Sequence, residues 1–75
     1  MSLSSESIEV GRCYLTIKGE VRRVLAIEAD KVAYHTILKS GFRQSLPRYR
    51  VNALRTFAAT VEREVPCDWT PETDN

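Results

Sequence analysis

Arg12-Cys13-Tyr14-Leu15-Thr16-Ile17, then Lys18-Gly19, then Val21-Arg22-Arg23-Val24-Leu25-Ala26-Ile27-Glu28: this stretch decides the fold. Its first segment alternates. Cys13, Leu15 and Ile17 share one face, and Arg12, Tyr14 and Thr16 the other, which is the period of a half-buried strand. Gly19 supplies the positive φ that a tight hairpin needs. Val21 to Leu25 is compatible with a helix by composition, but the Gly19 break and the Val and Ile content favour a second strand. Two strands joined by a tight turn begin an antiparallel sheet.

Working outward, Ala29-Asp30-Lys31 reads as a turn, and Val32 to Lys39 as a third strand. Val32, Tyr34, Thr36 and Leu38 share one of its faces; Ala33, His35, Ile37 and Lys39 share the other. Ser40-Gly41 opens a loop through Gln44. Leu46 to Val51 reads as a short fourth strand, which Pro47 confines to an edge. Asn52 is a good N-cap, and Leu54, Phe57, Ala58, Val61 and Val65 repeat at helical spacing, predicting a helix over Asn52 to Val65 that Pro66 ends. A start at Pro47 also fits, through Leu46, Tyr49, Ala53, Phe57 and Val61, but it places Asn52 inside the helix at some cost. Residues 1–9 read as a flexible lead-in, 10–66 as one domain, and 67–75 as a flexible acidic tail in which Trp69 can pack back onto the body.

The fold class is therefore mostly β with a C-terminal α-helix: a small SH3-like barrel, or an antiparallel meander capped by the helix. Val10-Gly11-Arg12-Cys13-Tyr14, Val21-Arg22-Arg23-Val24, Val32-Ala33-Tyr34 and Phe57-Ala58 together resemble small uncharacterised bacterial SH3-like or Tudor-like barrel domains. The resemblance covers roughly residues 10–65 and lies in apolar positions and turns. It implies a binding module for nucleic acid or protein and carries over no site residues.

Seventy-five residues with 43% apolar content make one small domain. A core of this size stabilises by only about 3–5 kcal/mol, so dimerisation is an open remedy. No apolar run is long enough for a membrane helix, and Met1 to Glu9 lacks the pattern of a secretory signal. The expected setting is cytoplasmic, where Cys13 and Cys67 would be thiols. Two cysteines and one histidine lack the paired spacing of a zinc site. His35 has no evident acid–base partner and Cys13 sits on an apolar strand face. No catalytic residue, metal, cofactor or small-molecule substrate is assigned, and the chain is read as a non-enzyme.

The net charge of +1 hides an uneven layout. Residues 11–61 hold ten basic side chains against Glu20, Glu28 and Asp30, while both ends are acidic. Lys39 to Arg55 contains no acid at all, with Phe42 and Tyr49 interleaved. Guanidinium forks match phosphate geometry and aromatic faces stack on unpaired bases. The candidate anion-binding residues are Arg22, Arg23, Lys39, Arg43, Arg48, Tyr49, Arg50 and Arg55. Arg48 and Arg50 fall on one strand face and Tyr49 on the other. Arg55, near a helix N-terminus, opposes the macrodipole. The solvated-surface alternative remains, because exposed ion pairs are worth about 0–1 kcal/mol and the near-neutral pI is unlike that of dedicated nucleic-acid binders. The second function class is a protein-interaction or self-assembling module, built on a sheet edge with Tyr14, Phe42 or Trp69 as anchors.

Overall fold

Backbone turns set the sheet. The first hairpin joins β1 (Cys13–Thr16) to β2 (Val21–Glu28) and turns through Gly19 at φ 84°. The Thr16 hydroxyl accepts the Lys18 and Glu20 N–H groups at 3.3 and 3.1 Å, which keeps this buried oxygen satisfied. A two-residue turn, Ala29-Asp30, leads to β3 (Lys31–Lys39). A second, Ser40-Gly41, leads to β4 (Phe42–Arg43). Both of its residues have positive φ, 54° and 82°, the geometry that matches strand twist in a two-residue hairpin. The segment expected as a loop therefore pairs with β3 before leaving it.

This computed structural model describes residues 4–45 and 48–71. The expected fourth strand begins at Leu46 and Pro47, outside the described residues; the strand that follows them, β5, spans Tyr49–Ala53. The chain continues through α1 (Leu54–Thr60) and β6 (Val61–Val65). Among the described residues the strands form one curled antiparallel sheet, a half-barrel, in the order β4-β3-β2-β1-β6. β5 also pairs with β3, so β4 and β5 follow one another along the same edge of that strand.

The helix is shorter than its spacing suggests. It covers seven residues rather than Asn52 to Val65, and Ala53, not Asn52, occupies the cap. Asn52 lies in β5 and donates instead to the Tyr34 hydroxyl at 2.9 Å. Val61 and Val65 continue the helical spacing of four, but in the structure a register shift in the β1–β6 ladder places them on opposite faces of the sheet. Their branched side chains fit the strand, which pairs Val65 with Cys13 and Val61 with Thr16.

Both faces of the sheet are covered. On one, Tyr14, Val24, Val32 and Tyr34 pack with Phe57 and Ala58 of the helix, Val61, and Ile8 of the lead-in. On the other, Cys13, Leu15, Val21 and Leu38 pack with Val65 and with Trp69 of the tail. This explains why all of Cys13–Thr16 is buried instead of alternating. Tyr14, a proposed exposed anchor, is 0% exposed. Its hydroxyl donates to the Ser7 carbonyl at 3.2 Å and accepts the Glu9 N–H at 2.9 Å. Trp69, another such anchor, is 7% exposed. Leu38 does not share the Tyr34 face. A bulge pairs Val21 with Leu38 but Arg22 with Thr36, and the extra residue turns Leu38 to the tail side.

Cys13 and Cys67 form a disulfide with a Cα–Cα distance of 5.2 Å. The thiol expectation is corrected here. It follows from an assumed compartment, whereas the pairing follows from the sheet: Cys13 opposes Val65, and the chain turning back at Pro66 brings Cys67 over Cys13.

Candidate functional site: a basic recess on the helix face

Residues paired across antiparallel strands point to the same face. Arg22 pairs with Thr36, and Tyr34 with Arg50, so these four side chains join the helix face of the sheet. The seven-residue helix covers only part of that face. Beside it lies an open recess of about 430 Å³, lined by Glu20, Arg22, Tyr34, Thr36, Lys39, Gln44, Arg48 and Arg50. Four cations meet there against one carboxylate.

Arg22 is the least exposed of the four cations that line the recess. Its guanidinium lies 4.8 Å from the centre of the Tyr34 ring. One Nη donates to the Thr60 hydroxyl at 3.3 Å and the other to Glu20 at 3.3 Å, while Nε is buried and makes no hydrogen bond. Lys39 Nζ stands 4.0 Å from the same Glu20 carboxylate. Arg48 and Arg50 are exposed. Glu20 therefore offsets part of the charge on one side only, and the recess keeps a positive excess.

Of the eight residues selected from the sequence, Arg22, Lys39, Arg48 and Arg50 line this recess. The other four do not. Arg23 pairs with Cys13 and His35, and Tyr49 pairs with His35, which places both on the tail side. Arg43 donates to the Cys67 carbonyl at 2.9 Å. Arg55 is exposed in the first turn of α1. Glu20, Tyr34, Thr36 and Gln44 are lining residues that the sequence reading did not select. Thr36 carries a visible signal, a polar side chain on a strand face otherwise made of Val32 and Tyr34.

Phe42 is 75% exposed and is not among the residues that line the recess. It pairs with Lys39 and so lies on the recess side. His35 is half-buried on the tail face; burial and then the nearby Arg23 lower its pKa, so the ring is biased toward neutral. Its Nε2 makes no hydrogen bond. Among the described residues no three His, Cys, Asp or Glu side chains gather as a metal set, and no helix is long and apolar enough to cross a membrane. No protein-family model matches the chain, and no curated protein or solved structure is significantly similar to it.

Proposed function

We propose that this chain is a non-catalytic binding module whose basic recess takes the phosphate backbone of a nucleic acid. The convergence of Arg22, Lys39, Arg48 and Arg50 carries this reading. A resemblance to SH3-like or Tudor-like barrels supports a binding role. Long cationic side chains gathered around a shared void repel one another, and an anion relieves that repulsion. The recess holds polar groups suited to phosphate oxygens, Thr36 and Gln44 among them. In anisotropy titrations with a labelled oligonucleotide, affinity is expected to fall steeply with salt. Replacing both Arg48 and Arg50 with Ala should flatten the slope of log K against log salt by about 1.4–1.8. An unchanged slope, or no binding at low salt, would sink the proposal.

The disulfide bears on where the module works. Such bonds persist in oxidising surroundings, which weighs against the cytoplasmic setting expected from the missing membrane run and secretory pattern.

A second reading is favoured by a separate observation. Leu25, Tyr49 and Val51 are 41%, 69% and 52% exposed, and Val51 pairs beside Ala33 on the tail side of β5. β5 is also a sheet edge among the described residues. Apolar surface beside an unpaired edge suits a second copy of the chain. Sedimentation velocity at micromolar concentration is expected to show a dimer that Val51→Arg disperses. A wild-type chain that sediments only as monomer rejects this reading.

A further inference from the structure

Resting on the nucleic-acid reading of the recess, we infer that its ligand is a single strand, with a phosphate held among Arg22, Arg48 and Arg50 and a neighbouring unpaired base stacked on Phe42. The charge lies in a recess of about 430 Å³, not on a projecting ridge. Readers of duplex DNA send a helix or a two-stranded ribbon into a groove about 12 Å wide. Among the described residues the one α-helix has seven residues, and Phe57 and Ala58 bind it to the sheet. A duplex is stiff over about 150 base pairs and cannot fold its backbone into such a recess. A single strand bends freely and follows a charged groove lined with aromatic platforms.

Phe42 meets the requirements of a platform. It is 75% exposed, although burial is the usual fate of a phenylalanine. Its pairing with Lys39 puts it on the recess side. The tight Ser40-Gly41 turn fixes its backbone on one flank. On the other, the Gln44 N–H donates to the Ile37 carbonyl at 3.1 Å and the Gln44 side-chain amide donates to the Phe42 carbonyl at 3.3 Å. The ring is exposed on a held backbone. Base stacking is tolerant of sequence, so broad preference among bases follows.

The test is fluorescence anisotropy on the full chain, with labelled single strands of about 12 nucleotides, DNA and RNA, and the duplex of the same sequence. Single strands are expected to bind at least about tenfold tighter than the duplex. Phe42→Ala should weaken single-strand binding by about 5- to 100-fold while leaving the salt slope in place. Phe42→Trp should retain the affinity, which separates lost stacking from lost folding. Equal or tighter duplex binding, or indifference to Phe42→Ala, overturns the single-strand inference and leaves the basic-recess reading intact. Absence of binding to every oligonucleotide at low salt overturns both.

Discussion

Replacing Cys13 and Cys67 with serine is expected to lower stability by about 4 kcal/mol, enough to bring the folded and unfolded chain near balance at room temperature. The bridge joins residues 54 apart, and closing a loop of that length removes about 4 kcal/mol of chain entropy from the unfolded state. A domain of this size commands a similar total, about 3–5 kcal/mol. The loss is compounded on the tail face. Trp69 reaches its place over Cys13, Leu15 and Val65 through the bridged Cys67, so the opened tail gives up apolar burial as well. Urea titrations followed by Trp69 fluorescence, with and without a reductant, measure the effect. A midpoint indifferent to reduction would show that β1 and β6 hold the tail unaided.

Phe57→Ala is the second large effect, expected at about 3–5 kcal/mol. Phe57 is 0% exposed and is the main side chain by which α1 grips the sheet. Its ring centre lies 6.0 Å from that of Tyr14, edge-on at 89°, and 5.0 Å from that of Tyr34. Such ring pairs add about 0.5–1.5 kcal/mol beyond area burial. A seven-residue helix has little stability of its own, so losing its anchor releases it. Arg55→Ala, on the exposed side of the same helix, is the control, with a change within about 0.5 kcal/mol. Denaturant midpoints for the pair decide the matter: similar values would mean that the helix is held by something other than its apolar face.

Much of the sheet is legible in the sequence because strand periodicity and turn chemistry are local. Val21 to Glu28 matches β2 end to end, and Val32 to Lys39 matches all but the first residue of β3. The helix overshoots because Val61 and Val65 continue its spacing of four, while the bulge that turns them to opposite faces of β6 is a long-range event. β4 is missed because Ser40, a non-glycine residue, takes the left-handed conformation. The bulge that rotates Leu38 and the tail that covers Cys13 and Leu15 are long-range events with no periodic trace. The site divides in the same way. Arg48 and Arg50 share a face by simple alternation. Their meeting with Arg22 and Lys39 depends on strand register, and register also sends Arg23 to the opposite side.

Tyr34 is a wall with two occupants. Its ring is 3% exposed, packs on Phe57 within the core, and lies beneath the Arg22 guanidinium in the recess. A free arginine side chain carries about 2 kcal/mol of rotamer entropy that a ligand must ordinarily take away. Here folding has already removed much of it, since Tyr34, Thr60 and Glu20 hold the group in place. Arg22 is therefore a charge held in place by the core, and in the proposed binding role Arg48 and Arg50, both exposed, would be the adaptable ones.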